Sequence, residues 1–381
     1  MAQTDHTAII NGDTLRYRYT PDDTPPHSST VNRGACRFFT QSLNNSHKEL
    51  QYGTRFMVIG GPGYSAETNF RLALMGRMMY RTRRTPLETT PSYTAISATA
   101  SISGYYRFAL DGCHIFNQQH RIMYGGELRS LPTRIWGLTY NESLHNSQGR
   151  YTSKRYMIWG GYRYNISRRL FAGINIDYQY FKALKLDNRA LTTLDHKPLS
   201  LSTASIGATI GYDSRDSEIN ALRGIYAAVE GTFHPSLLSN IAFDVWRITA
   251  TFDYFQPLWR GATLAFDVYG EFNTPQTPWM LRSQLGSESR MRGYYTGRFN
   301  GDNIVVAQIE LRQHIWQGLS CAVWGGAGEA FSYNDDFKWN KILPNYGIGI
   351  RWSNANRACI RIDAGFGRDA FSIIVALNEA F

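Results

Sequence analysis

The feature that most constrains this chain is a period-two alternation of apolar and polar residues that recurs sixteen times between about Thr54 and the end. The segments run roughly 10 to 14 residues, with Gly, Asn, Asp and Ser turns between them. In Val305 to Ile315, one face carries Val305, Ala307, Ile309, Leu311, Gln313 and Ile315, and the other Val306, Gln308, Glu310, Arg312 and His314. Ala262 to Asn273 repeats the pattern, with Leu264, Phe266, Val268 and Phe272 against Thr263, Asp267, Tyr269 and Glu271. Successive side chains of a strand point to opposite faces, so each segment reads as a strand with one apolar and one polar face.

Such strands suit either a soluble sandwich or a membrane barrel, in which the apolar face meets lipid and the polar face lines the lumen. Three observations favour the barrel. Segments of 10 or more residues span about 25 to 30 Å of hydrocarbon when tilted, whereas soluble strands run nearer 5 or 6 residues. Tyr and Trp gather at segment ends, as at Tyr178 and Tyr180, Trp246 and Tyr254, and Trp316, where an interfacial girdle would place them. The last segment, 371–381, closes on an aromatic, Phe381. Composition agrees: charged residues make up 18% and aromatics 14%, against about 25% charged in an ordinary soluble chain. A mean hydropathy of −0.36 and the lack of any run of 18 apolar residues exclude a helical membrane protein.

The expected fold is therefore all-β: a sixteen-stranded antiparallel transmembrane β-barrel over residues 50–381, preceded by a short periplasmic linker or plug over 1–49. In that leading piece, Pro21, Pro25 and Pro26 mark an irregular stretch, and 37–50 reads as one amphipathic helix. An even strand count returns both ends to one side. With that side periplasmic, the long connections 182–202, 274–303 and 332–344 face outward, and short ones such as 165–169 and 257–261 face inward. Met1-Ala2-Gln3 shows no basic or apolar leader, but Ala-Gln is a common signal-peptide junction, so the start decides nothing about compartment.

Chemistry-bearing motifs are few. Cys36, Cys113, Cys321 and Cys359 are scattered without metal-ligand spacing, and no metal site is expected. Gly365-Phe-Gly367-Arg-Asp-Ala370 matches a dinucleotide fingerprint, yet the eleven residues after it read as a strand, so no helix receives a pyrophosphate. Gly60-Gly-Pro-Gly63 lacks the Lys and Ser/Thr of a phosphate loop. With no nucleophile motif, the chain is expected not to be an enzyme and to need no cofactor. The basic residues behind the +10 net charge are dispersed, which speaks against nucleic acid. Inward acids (Asp213, Glu230, Asp253, Asp267, Glu271, Glu310) are expected to balance inward arginines such as Arg163, Arg247 and Arg312 in a polar lumen.

The connection 274–303 contains Met291-Arg292-Gly293-Tyr294, followed by Gln308-Ile-Glu310-Leu-Arg312; Tyr212-Asp213-Ser-Arg215-Asp216 precedes it, and Arg361-Ile-Asp363-Ala-Gly365 follows. In this order the motifs resemble the BamA/TamA family of outer-membrane barrels, over nearly all of 50–381. The resemblance implies that the sixth outer loop folds into the lumen and is anchored by Arg292 with Gly293 and Tyr294, that Glu310, Arg312 and Asp363 are wall partners, and that Asp213, Arg215 and Asp216 form a periplasmic turn. Gly326 stands where many members carry an Asp, which redirects the anchor toward Asp363. Members with assembly functions carry POTRA domains of roughly 75 residues, and 49 residues cannot hold one.

The resemblance further implies a weak closure between first and last strands. The segment Arg55 to Gly63 reads as short and ends in Gly and Pro, which weaken or interrupt a ladder, so Ile59, Gly60, Pro62 and Phe381 are placed at this seam. A gate and a plain loop start both remain open. The expected role is insertion or export of outer-membrane or surface proteins, with outer-membrane lipid, periplasmic or lipoprotein subunits and client outer-membrane proteins as partners. The alternative is a structural or passive channel protein; an outer-membrane hydrolase has no motif to support it.

Overall fold

The computed structural model describes residues 6–10, 13–17 and 53–381, apart from 82–90, 118, 219, 317, 334–336 and 354–358. The chain divides into two units, Met1–Leu43 and Asn44–Phe381. In the first, His6–Ile10 pairs antiparallel with Asp13–Tyr17. The linker or plug expected over 1–49 does not include this hairpin, although Asn11-Gly12 between the two runs is a hairpin signal. The helix expected over 37–50 lies outside the described residues.

The second unit is a closed antiparallel barrel of sixteen strands. They are β1 (Gly53–Ser65), β2 (Asn69–Arg81), β3 (Ser92–Ser101), β4 (Tyr106–Ile115), β5 (His120–Ile135), β6 (Gly149–Asn165), β7 (Leu170–Leu184) and β8 (Ser200–Asp213). There follow β9 (Gly224–His234), β10 (Val245–Pro257), β11 (Ala262–Asn273), β12 (Asn303–Trp316), β13 (Leu319–Phe331), β14 (Leu343–Ser353), β15 (Cys359–Gly367) and β16 (Ala370–Leu377). Each pairs with its neighbours in sequence, and β16 returns to β1. The long connections 136–148, 185–199, 235–244, 274–302 and 332–342 all leave one rim, here the loop rim; 166–169, 258–261 and 317–318 lie at the opposite, turn rim. Two short helices, α1 (Tyr140–His145) and α2 (Asn188–Thr193), sit in the loops and are capped by Thr139 and Asp187.

The alternation places side chains as a two-faced wall requires. In β14 burial switches at every residue from Leu343 to Trp352: Asn345, Gly347, Gly349 and Arg351 face in, while Tyr346, Ile348, Ile350 and Trp352 face out. Comparable outward residues girdle the barrel, among them Phe56, Leu74, Ile96, Phe108, Ile158, Ile174 and Ile210. An apolar surface that continuous is stable against hydrocarbon and not against water, which makes this a membrane-spanning barrel. Trp259, Trp316 and Trp352, all exposed near the turn rim, form part of an interfacial belt.

Two expectations about the barrel ends need correction. β1 is not short: it runs thirteen residues, with Pro62 inside it opposite Leu72. Pro62 faces outward at an edge with little further pairing, so its missing N–H costs the ladder little. The last strand stops at Leu377 rather than running to the end. Asn378 adopts φ 63°, and the chain turns into the lumen, where the ring of Phe381 packs near Phe255 with centroids 6.3 Å apart. Phe381 is therefore not a seam residue, because an αL turn at Asn378 takes it out of the wall.

Candidate functional site

The site is where the 274–302 connection enters the lumen and meets β12 to β15. The connection is pinned at its base by a small ribbon, Ser283–Leu285 with Phe299–Gly301, and from base to tip by a hydrophobic cluster of Tyr140, Leu285, Met291, Tyr294, Phe299 and Leu343. Its tip is Met291-Arg292-Gly293-Tyr294. Arg292 is fully buried; Nη1 donates to Asp363 Oδ2 at 3.0 Å and Nη2 to Glu310 Oε2 at 2.5 Å, both carboxylates being fully buried too. The guanidinium lies 3.7 Å from the ring centroid of Trp324, an inward residue of β13, so its face as well as its edge is occupied. Gly293 has φ 118°, and a Cβ there would come within 2.9 Å of the Phe366 backbone. Gly365 answers from the other side, since a Cβ on it would meet the Arg292 backbone at 2.7 Å. The loop thus rests backbone on backbone against β15, which only two glycines permit. Tyr294 donates from its hydroxyl to Pro344 O and accepts from the Arg368 N–H, both at 2.7 Å, and its burial pushes the phenol pKa upward.

Around this tip the carboxylates are shared. Arg351 reaches Asp363, Glu310 at 3.3 Å and Glu379 at 3.2 Å; Arg361 reaches Asp363 at 2.6 Å. Arg312 does not touch Arg292: it donates to Glu310 Oε1 at 2.9 Å and to Phe381 O at 3.0 Å, because it lies two residues nearer the turn rim than Glu310. The loop from one rim and the 378–381 tail from the other therefore end on the same few charges. A Cβ at Gly326 would come within 2.7 Å of Ala307 O and Asn345 Oδ1, so no Asp fits there. The neighbouring inward residue Gln308 donates instead to Asp267, which also takes Arg290 of the loop in a forked pair.

Other residues singled out in the sequence lie apart. Arg215 makes a forked pair with Asp213 at 2.9 and 3.0 Å, and Asp216 accepts from the Leu222 and Arg223 N–H groups, which organises the 214–223 turn far from Arg292. Gly60 and Pro62 belong to β1, as does the backbone of Ile59. The balance expected for inward arginines holds for Arg247, 3.4 Å from Glu271, and for Arg312. It does not hold for Arg163, which has no ion pair among the described residues: its Nε donates to Asn165 Oδ1 at 3.1 Å and its guanidinium lies 3.6 Å from the Phe171 ring centroid.

The sequence reading did not single out Arg351, Glu379, Glu288 or Glu67. Strand parity would have found Arg351. The two glutamates of the loops carry no such signal, yet they tie the inserted loop to the seam. Glu288 pairs with Arg71 of β2 at 2.6 Å while its backbone carbonyl accepts from Arg361 of β15 at 2.7 Å. Glu67, between β1 and β2, accepts from Thr296 N at 2.8 Å and Oγ1 at 2.9 Å. The seam itself has a single register pair among the described residues, Val375 with Tyr64, against eight between β15 and β16.

A closed sixteen-stranded barrel with an apolar girdle and a lumenal loop locked by a buried arginine defines a class: a membrane-spanning β-barrel with a long loop folded into its lumen. Residues 92–369 match the Omp85 superfamily domain, and the chain belongs to that superfamily. In fold it is similar to BamA from Haemophilus ducreyi lacking POTRA domains 1–3 (TM-score 0.57, 11% identity, 86% of this chain and 70% of that one). It is also similar to CdiB from Acinetobacter baumannii (TM-score 0.56, 10% identity, 86% and 59%) and CdiB from Escherichia coli (0.54, 13%, 84% and 62%). The chain thus spans about 60% of the length of the two CdiB structures. No curated protein matches it.

Proposed function

We propose that this barrel inserts or exports outer-membrane or surface proteins from the bacterial outer membrane, with separate periplasmic or lipoprotein subunits supplying client capture. The β16–β1 seam is its moving part, and the 274–302 loop, anchored through Arg292, Gly293 and Tyr294, is the strap that sets how readily the seam parts. The observation that carries this reading is the single seam pair among the described residues, Val375 with Tyr64, beside a loop tied to both flanks through Glu288. Gly63 stands beside this pair: a Cβ there would lie 2.8 Å from Arg71 Nε and 3.3 Å from Val375 O, a tight fit at the seam. Work of this kind draws on unpaired strand edges and on locally thinned bilayer, with no bond chemistry.

The test is a seam lock. Tyr64→Cys with Val375→Cys, in a background where Cys36, Cys113, Cys321 and Cys359 are Ser, places two thiols on directly opposed residues within disulfide range. Oxidation is expected to stop assembly of a co-reconstituted client barrel and reduction to restore it. Equal client assembly in both states would sink the gate. A mild-detergent purification from outer membranes with mass spectrometry is expected to recover stoichiometric periplasmic or lipoprotein partners; a lone, conducting barrel would leave a passive channel.

A further inference from the structure

The wall opposite the inserted loop carries a charge pattern that the seam mechanism does not use. Arg107 of β4, Arg129 of β5 and Arg155 of β6 all point inward and stand directly opposite one another in register, Arg107 with Arg129 and Arg129 with Arg155. Adjacent strands are about 4.8 Å apart, and like charges directly opposed across a strand pair destabilise it. Among the described residues one carboxylate pairs with the row: Glu127 lies 2.6 Å from Arg107 and 3.6 Å from Arg129. Among the described residues Arg155 donates only to neutral partners, Gln179 Oε1 at 2.9 Å and Met157 Sδ at 3.2 Å, and its Nε–H has no acceptor, while the Arg129 Nε is too far from Glu127 for a hydrogen bond. Nearer the turn rim a second tier repeats the pattern. Arg121 and Arg163 are again in register, with Glu218 3.4 Å from Arg121 only. On strands β2 to β6 the inward carboxylates are Asp111 and Glu127; the next strand adds Asp177, which is held by Ser205.

Across the lumen, guanidinium groups are covered by carboxylates; here they are stacked and left short of them. The side chains of Arg107 and Arg129 keep 34% and 28% of their surface exposed, so lumenal water reaches them. Charges arranged against their own repulsion, solvated and short of acceptors, are a receptor for negative charge from outside. We propose that the inner wall of β4 to β6 is an anion-binding strip for a linear ligand bearing adjacent oxyanion groups, read by the forked donors of Arg107, Arg129 and Arg155. Forked guanidinium pairing suits phosphate oxygens spaced along a chain. The inference does not rest on the seam reading.

The experiment uses the folded full chain in detergent at low salt, with inorganic tripolyphosphate as the probe. Calorimetry is expected to show saturable binding that weakens with added salt and falls by about tenfold or more in Arg129→Gln with Arg155→Gln, since two charge-assisted donors are removed. Heat-modifiable mobility on gels checks that this variant is folded. Should it not fold, a footprint on the unmodified protein decides: tripolyphosphate is expected to slow phenylglyoxal modification of Arg129 and Arg155 but not of Arg168 and Arg169 in the exposed 166–169 turn. No saturable binding, equal binding by the folded variant, or equal modification at all four arginines would overturn the proposal.

Discussion

The seam and the β12–β15 wall are two closures of one barrel built on opposite principles. Along the wall, β12, β13, β14 and β15 pair over nine to thirteen register positions, and a buried guanidinium is held by two buried carboxylates and an indole. At the seam there is one register pair among the described residues, a proline within β1 and a last strand that leaves the wall at Leu377. The first is expensive to disturb because every partner removed strands a charge in low dielectric. The second is cheap to disturb because little is paired. The difference teaches that the molecule concentrates its stability beside its weakest line, so opening at the seam need not unfold the rest.

The hardest blow to that contrast is Arg292→Ala. It removes the loop's cation from Glu310 and Asp363, which keep Arg351 in common; removal of one partner of a buried pair typically costs about 3 to 5 kcal/mol, and the remaining arginines put this one at the low end. The expected outcome is lost heat-modifiable mobility and a 274–302 loop open to protease; wild-type mobility and protection would refute the anchor. Gly293→Ala comes next, with a Cβ driven to 2.9 Å of the β15 backbone at φ 118°, at roughly 1 to 3 kcal/mol of strain. Limited proteolysis should show a loop that is loosened but still captured. Glu288→Gln is milder: the pair with Arg71 is partly exposed and worth about 1 kcal/mol or less. Amide exchange in β1 and β16 is expected to accelerate while that in β12 to β14 stays unchanged; uniform exchange would mean the strap does not act on the seam. The smallest effect is a control outside both regions. Asp187 accepts from the Ala190 N–H at the start of α2, and this lowers its pKa. Its cap is therefore intact above the ordinary carboxylate range and lost as pH falls through the lowered value. Asp187→Ala should fray only α2, with neither loop protection nor seam exchange altered.

Much of this architecture was legible in the chain. Period-two alternation marks all sixteen strands because a wall between lipid and water imposes opposite polarity on alternate residues. Parity likewise put Glu310 in the lumen, whereas Asp363 is named only through the family resemblance. What stayed hidden depends on contacts remote in sequence or on backbone geometry. The full length of β1 was obscured by Gly60-Gly-Pro-Gly63, which reads as a breaker although an outward-facing edge tolerates it. The inward turn of the tail hangs on one αL residue, Asn378, and the bridging role of Glu288 on a loop whose path no periodicity encodes. The uneven distribution of lumenal charge escaped because composition along a strand says nothing of which strands face each other across the barrel.

Glu288 holds β2 with its side chain and β15 with its backbone, and this makes loop withdrawal and seam parting reciprocal quantities. Whatever free energy the docked loop contributes to keeping the seam shut, a parted seam must withdraw from the docking of the loop by the same amount. Under the proposed role, a client strand wedged between β16 and β1 would thus weaken loop capture at a distance, and a ligand gripping the loop from outside would tighten the seam without touching it.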